Sequence, residues 1–176
     1  ETGRLNVEKQ AVLNTAADAD SVCFVDGGEI VCLDRQTGET RWRAKPAAKG
    51  PELWAGTLII HNNVVLYAEH GVLTALSVRD GSDLWTREAK QPGGLWFSWK
   101  DVFVIDGLVW TWSEQLEMEP LPAARGRQQR SLAPRTVNGY DLRSGELVKE
   151  VALGSIFKTH HHHRCYRNKA TPRYIL

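Results

Sequence analysis

An internal repeat is the feature of this sequence that most restricts its fold. Residues 22–43 read VCFVDGGEIVCLDRQTGETRWR, and residues 65–87 read VLYAEHGVLTALSVRDGSDLWTR. Each copy has two strands of alternating pattern around a glycine turn, then a polar turn that ends in glycine, then a tryptophan four residues later. The glycines of the two polar turns, Gly38 and Gly81, are 43 residues apart, which is the length of a four-stranded propeller blade.

A third copy of the repeat is interrupted. Residues 102–112 supply its first hairpin, and residues 136–151 supply its later strand and the turn at Gly145. Gly81 and Gly145 are 64 residues apart, so this copy carries an insertion of about 21 residues. We interpret residues 113–135, which are rich in proline and arginine, as a surface-loop insertion.

The predicted fold is therefore all-β, a β-propeller segment of four-stranded antiparallel blades with about three blades and two partial ones. The predicted repeats are about 1–20 (partial), 21–63, 64–100, 101–157 and 158–176 (partial), within one domain. Because both ends fall inside repeat units and three blades cannot close a ring, we expect further blades, from a longer chain or a second one.

The charge balance excludes some classes of partner. Lysine and arginine number 22 and aspartate and glutamate 21, which leaves a net charge of +1 and no broad basic surface for nucleic acid. No apolar run reaches the roughly 18 residues that span a bilayer, so no transmembrane segment is predicted. No charged-then-apolar leader opens the sequence either.

The repeat resembles a known family. Residues 28–42 read Gly-x-Ile-x-Cys-Leu-Asp-x-x-Thr-Gly-x-x-x-Trp, and residues 71–85 carry Gly-x-Leu-x-Ala-Leu and then Asp-Gly-x-x-x-Trp. This pattern resembles the pyrroloquinoline-quinone-like (PQQ-like) repeat of β-propellers. The resemblance implies that Trp42 and Trp85 pack between neighbouring blades, whereas Lys149 takes that position in the third copy.

The resemblance leaves the activity open. The family includes quinoprotein dehydrogenases and also cofactor-free scaffolds, such as the lipoprotein that helps to assemble outer-membrane barrels. The dehydrogenases carry an adjacent Cys-Cys pair near the quinone, and this sequence has none, so a quinone is not favoured on this segment. The family setting implies a periplasmic or secreted location.

Two cysteines are predicted to face each other across the first hairpin. A two-residue turn at Gly27 and Gly28 pairs Asp26 with Glu29, and counting back along the ladder pairs Cys23 with Cys32. The Cα separation of such a pair is within disulfide range. Either a disulfide, which favours an oxidising compartment, or two buried thiols fits the pattern.

The segment THHHHRCYR, residues 159–167, is the densest cluster of reactive side chains. It fits a short purification tag, a polar strand at a blade edge, or a functional site. If the segment is extended, successive side chains alternate between two faces. One face then carries the candidate metal ligands His161, His163 and Cys165, and the other carries the candidate catalytic residues His160, His162, Arg164 and Tyr166.

Each face suits a different chemistry. Imidazole and thiolate ligands about 7 Å apart along a strand suit copper or zinc. Histidine, tyrosine and arginine suit general base, general acid and oxyanion-binding roles. Either role requires the segment to line the central funnel.

Two functions remain open from the sequence. The first is an oxidoreductase or a polysaccharide-acting enzyme that uses residues 160–166. The second is a cofactor-free scaffold that presents loops such as 113–135 to protein partners. A carbohydrate ligand is a further alternative, because Trp96 and Trp99 could form an aromatic platform, although inter-blade packing explains them as well.

Overall fold

The fold is described here from a computed structural model, which covers residues 15–47, 56–69, 71–88, 102–112, 116–120, 130–134, 136–152 and 171. In this part of the chain every regular element is a strand. The first blade contains β1 (Thr15–Ala17), β2 (Ser21–Asp26), β3 (Glu29–Asp34) and β4 (Thr40–Ala44), and the second contains β5 (Thr57–His61), β6 (Val64–Glu69), β7 (Val72–Ser77) and β8 (Asp83–Glu88). The remaining strands are β9 (Phe103–Ile105), β10 (Leu108–Trp112), β11 (Leu116–Pro120), β12 (Arg130–Pro134), β13 (Thr136–Asp141) and β14 (Leu147–Ala152).

Twelve of the strands form three four-stranded antiparallel sheets. Neighbouring strands follow the chain order, except that β11 and β12 are skipped in the third sheet. The orders are β1-β2-β3-β4, β5-β6-β7-β8 and β9-β10-β13-β14. The first strands of the first two sheets, β1 and β5, contact each other, as the inner strands of neighbouring blades do. The prediction of an all-β propeller segment built from four-stranded blades is confirmed.

The interruption of the third blade contains regular structure of its own. β11 and β12 pair antiparallel in a separate two-stranded sheet, with Leu116 opposite Pro134 and Pro120 opposite Arg130. Both strands lie within residues 113–135, between the second and third strands of the blade. The insertion, which the sequence predicts as a surface loop, therefore contains a two-stranded β-ribbon.

The first hairpin has the register that its turn predicts. Gly27 and Gly28 have φ values of 59° and 83°, the left-handed region that a two-residue hairpin turn of this type requires at both positions. The turn pairs Asp26 with Glu29, and the ladder then places Cys23 opposite Cys32. The prediction that these cysteines face each other is confirmed.

The core lies between the blades. Between the first and second blades, one cluster joins Cys23, Cys32 and Trp42 to Tyr67 and Leu76. A second cluster, between the second and third blades, joins Leu66, Leu73 and Ala75 to Val109 and Tyr140. The second blade, which lies at both junctions, therefore buries both faces of its central strands β6 and β7.

Among the residues that the structure describes, no helix is long and apolar enough to cross a membrane.

Candidate functional site

The predicted site residues lie outside the described part of the chain. They are His160, His161, His162, His163, Arg164, Cys165 and Tyr166. The aromatic platform proposed at Trp96 and Trp99 also lies outside it. Within the described ranges, no three side chains of histidine, cysteine, aspartate or glutamate are grouped as metal ligands would be.

Cys23 and Cys32 are free thiols in this structure and are completely buried. Burial, reinforced by the neighbouring Cys32 thiol, raises the pKa of Cys23 well above its ordinary value, so Cys23 stays protonated. Both side chains face the junction between the first two blades, among Trp42, Tyr67 and Leu76. Of the two alternatives, the structure has two buried thiols that act as small apolar groups.

The same tryptophan contact joins the blades at both described junctions. Trp42 of the first blade donates its indole N–H to the carbonyl oxygen of Val78 in the second, at 2.7 Å. Trp85 of the second blade donates to the carbonyl oxygen of Leu142 in the third, at 3.0 Å. Val78 and Leu142 occupy the same position, three residues before the turn glycine, so the contact repeats residue for residue.

A glycine lies beneath each of these indoles. A Cβ atom added to Gly81 would lie 2.7 Å from the Trp42 ring, and one added to Gly145 would lie 2.6 Å from the Trp85 ring. Only glycine leaves room for the indole there. Trp42 is 8% exposed and Trp85 is half-buried, which confirms the packing role that the family resemblance implies for both.

In the polar turns of the first and third blades an aspartate carboxylate accepts hydrogen bonds from backbone amides of the same turn. Asp34 accepts hydrogen bonds from the amides of Gln36 and Thr37 and from the Arg41 guanidinium, at 2.9, 3.0 and 2.5 Å. The Arg41 contact first, and then the two amides, lower the pKa of Asp34 to about 2. The third blade repeats the arrangement, since the amide of Ser144 and then that of Arg143 lower the pKa of Asp141.

A groove with a volume of about 540 Å³ crosses these turns from the first blade to the third. Its charged and apolar lining includes Asp18, Asp20, Arg41, Arg79, Leu84 and Arg143. Arg41 is held by Asp34 and by the Ser21 hydroxyl, whereas Arg79 makes one contact of 3.4 Å to Asp80 and is 88% exposed. Leu84 is 42% exposed, so an apolar surface lies beside arginine groups that are open to solvent.

Comparison with known proteins identifies the family of this chain. The family model described as outer membrane protein assembly factor BamB, a model of PQQ-like repeats, matches residues 3–174. The chain belongs to the PQQ-like repeat family. No curated protein sequence matches the chain significantly.

Solved structures share the fold of this PQQ-like propeller segment at low sequence identity. BamB from Moraxella catarrhalis matches with a TM-score of 0.53 and 14% identity, over 82% of this chain and 38% of that protein. A europium-containing methanol dehydrogenase matches with a TM-score of 0.51 and 12% identity, over 81% of this chain and 25% of the enzyme. The chain thus spans less than half the length of either structure.

Sequence reasoning missed the groove, although the repeat contains a signal for it. Arg79 and Arg143 both stand two residues before the turn glycine, so the propeller geometry presents them on the same side of successive blades. The adjacent Cys-Cys pair of quinoprotein dehydrogenases has no counterpart anywhere in the sequence, and Cys23 and Cys32 face a blade junction. These residues do not fit a quinone site of that type.

Proposed function

We propose that the chain is part of an extracytoplasmic propeller that binds other proteins as an assembly scaffold. The observation that carries the proposal is the groove, which combines the exposed cations Arg79 and Arg143 with the apolar side chain of Leu84. Protein-binding surfaces have an apolar centre and a polar rim, and arginine is enriched in them. The description of the matching family, an outer membrane protein assembly factor, supports the same role.

The groove suits a polypeptide that carries acidic groups. Asp18 and Asp20 line its first-blade side, and the two arginines line its other side. An acidic segment that reaches Arg79 and Arg143 would be repelled by the two aspartates, which gives the partner one preferred direction. A periplasmic location is part of this proposal, because outer-membrane proteins are assembled outside the cytoplasm. The ring also requires further blades, from the same polypeptide or a second one.

The test is binding of the purified chain to the outer-membrane assembly machinery of its own organism, measured by biolayer interferometry. We expect saturable binding that Arg143→Glu weakens on the order of tenfold, because reversal of a rim charge replaces attraction by repulsion. Lys149→Glu is the matched control, since Lys149 is also an exposed cation of the third blade but lies outside the groove. Absent binding, or an equal loss in both variants, would refute the scaffold function.

We propose a second function for residues 160–166. It rests on the sequence alone, because alternate residues of an extended segment lie on the same face. His161, His163 and Cys165 would bind copper or zinc if that segment is extended, and His160, His162, Arg164 and Tyr166 would serve proton transfer and oxyanion binding. This proposal corresponds to the enzymatic members of the fold, of which the similar methanol dehydrogenase is one.

Metal titration followed by calorimetry tests this second proposal. We expect one zinc ion to bind each chain, and the double variant His161→Ala/His163→Ala to weaken binding at least about tenfold. The matched control His160→Ala/His162→Ala removes the same number of imidazoles from the opposite face. If both double variants weaken zinc binding equally, the histidines bind metal as an unstructured run and the site is disproved.

A further inference from the structure

The turn that joins the first two strands has the same geometry in the second and third blades. In the second blade this turn is Asn62-Asn63, with φ of 46° and 65°, and in the third it is Asp106-Gly107, with φ of 51° and 75°. Both are two-residue hairpin turns in the left-handed region, where the sequences Asn-Gly and Asp-Gly are strongly preferred. The second blade therefore carries an asparagine where the turn favours glycine.

Asn63 and Gly107 have the same backbone role. The carbonyl oxygen of Asn63 accepts a hydrogen bond from the amide of Val78, and that of Gly107 accepts one from the amide of Leu142, both at 3.0 Å. Glycine at position 63 would keep this contact and would adopt the positive φ without the steric cost of a Cβ atom. The turn itself therefore does not require the asparagine side chain.

Asn63 lines the groove, where its neighbours include Val64, Arg79 and Leu84. It is exposed, and among the residues that the structure describes its carboxamide makes no hydrogen bond. A carboxamide has an acceptor oxygen and two N–H donors, so it matches both the C=O and the N–H of a peptide group. The groove thus combines cations, an apolar surface and a group that can bind a main chain.

The size of the groove favours a short segment of chain over a folded surface. Its volume of about 540 Å³ lies within the range of roughly 300–1,000 Å³ that is usual for clefts that bind small ligands. A stable contact between two folded proteins instead covers about 800 Å² of each partner, over a broad surface. A helical segment is also a poor occupant, because its peptide groups are already hydrogen-bonded to one another.

We infer that the groove binds an extended acidic segment of its partner and that Asn63 recognises this segment by hydrogen bonding to its main chain. An extended segment leaves peptide groups without partners of its own, so one of them is free to pair with the carboxamide. Leu84 then contacts an aliphatic side chain of the segment, and Arg79 and Arg143 bind its carboxylates. The inference rests on the proposed scaffold function and adds to it a recognition residue and the conformation of the bound segment.

The test follows the side-chain amide protons of Asn63 by NMR while the whole chain is titrated with a peptide. The probe is the acetylated and amidated peptide Glu-Val-Glu-Leu-Glu-Val-Glu, which favours an extended chain and carries acidic groups at alternate positions. We expect the Asn63 protons to move downfield as they donate to the peptide main chain, with a dissociation constant of about 1 mM or tighter. No movement at millimolar peptide, or shifts confined to Arg79 and Leu84, would overturn the inference.

Two variants of the same turn separate recognition from folding. Asn63→Gly should weaken peptide binding about fivefold, because one hydrogen bond is lost, and it should raise the melting temperature by roughly 1–4 °C, because the preferred turn sequence replaces a less favourable one. A residue with a merely structural role would not lose binding while the fold gains stability. A lower melting temperature of this variant would show that the side chain supports the turn and would overturn the inference.

Asn62→Gly is the matched control. It removes the same carboxamide one residue earlier in the same turn, at a position that also has a positive φ but does not line the groove. We expect its affinity for the peptide to equal that of the unmodified chain. Equal losses in the two variants would mean that the turn, and not the carboxamide of Asn63, affects binding.

A series of peptides with one amide replaced by an ester tests for contact with the main chain, since each ester removes one N–H and weakens one C=O acceptor. At least one ester should weaken binding to the unmodified chain about fivefold and leave binding to Asn63→Gly unchanged, because the two changes remove the same hydrogen bond. Esters that affect both proteins equally at every position would contradict the pairing of Asn63 with the main chain.

This inference and the scaffold function fail separately. Binding of the assembly machinery, with no response of Asn63 to the peptide, would refute the inference and leave the scaffold function intact. Peptide binding that depends on Asn63, in a chain that does not bind the machinery, would support the inference and refute the role in assembly.

Discussion

At the residue scale, the stability of the molecule depends on a pair formed by tryptophan in one blade and glycine in the next. The tryptophan supplies buried apolar area and one hydrogen bond, and the glycine supplies a left-handed turn and space for the ring. Arg87 adds to the second junction, since it donates to the carbonyl oxygen of Gly145 and lies 5.0 Å from the centre of the Tyr140 ring.

Truncation of the more buried indole should cost the most. Trp42→Ala should lower the free energy of unfolding by about 3–5 kcal/mol, because it opens a cavity between two blades. Trp42→Phe should cost less, about 1–3 kcal/mol, since a ring remains while the Val78 carbonyl loses its donor. Urea denaturation measures both. Leu84→Ala is the control, since that side chain is 42% exposed, and an equal loss in all three variants would contradict the docking role.

The turn glycines offer a matched series of three. Alanine at Gly38, Gly81 or Gly145 incurs the cost of a positive φ, about 1–2 kcal/mol. At Gly81 and Gly145 the new methyl group also overlaps an indole, which adds roughly 1–3 kcal/mol. Thermal unfolding should therefore rank Gly38→Ala as the mildest change. The same loss at all three positions would mean that the indoles do not bind as described.

At the element scale, the hairpins and their register could be predicted from the sequence, and the inner strands of the first two blades could not. The glycine pair at positions 27 and 28 determines the pairing of β2 with β3, because its positive φ values fit one turn type. β1 contains only Thr15–Ala17, and β5 is a nearly continuous apolar run, so neither shows an alternating pattern. β11 and β12 each contain proline, which the sequence pattern assigns to loops.

The polar turn between the third and fourth strands of the first blade predicts a defined response to acid. Its carboxylate, Asp34, has a pKa of about 2 against an ordinary 3.8, held low by Arg41 and by the turn amides. A folded-state pKa below the unfolded one stabilises the fold above about pH 4, and this stabilisation is lost as the pH falls toward 2. The turn is therefore weakened by protonation and not by deprotonation.

The variant Asp34→Asn tests this response. Its melting temperature should lie below that of the unmodified chain at pH 5, and the difference should narrow as the pH falls toward 2, where Asp34 becomes protonated. Glu39→Gln, in the same turn, is the control, since no group of the described residues donates to its carboxylate. A difference between the Asp34 variant and the unmodified chain that stays constant from pH 5 to pH 2 would disprove the turn's electrostatic role.

At the scale of the whole molecule, the repeat period and the tryptophan spacing were sufficient to predict a propeller segment. They were not sufficient to predict a binding surface, because the groove arises where side chains of three blades meet in space. Arg79 and Arg143 are 64 residues apart in sequence and share one groove only after the blades have docked. The residues predicted to form a site at 160–166 stay a prediction, because the structure does not describe them.

The central claim is that successive blades dock by placing a tryptophan over the next blade's turn glycine, and glycine chemical shifts in solution test it most directly. The α protons of Gly81 and Gly145 should be shifted upfield by the ring currents of Trp42 and Trp85, and nuclear Overhauser contacts should join each glycine to its indole. Substitution of either tryptophan by leucine should remove the shift of its own glycine alone. If both glycines instead show the ordinary shifts of exposed turns and no contact to an indole, the blades do not dock in this way and the account is wrong.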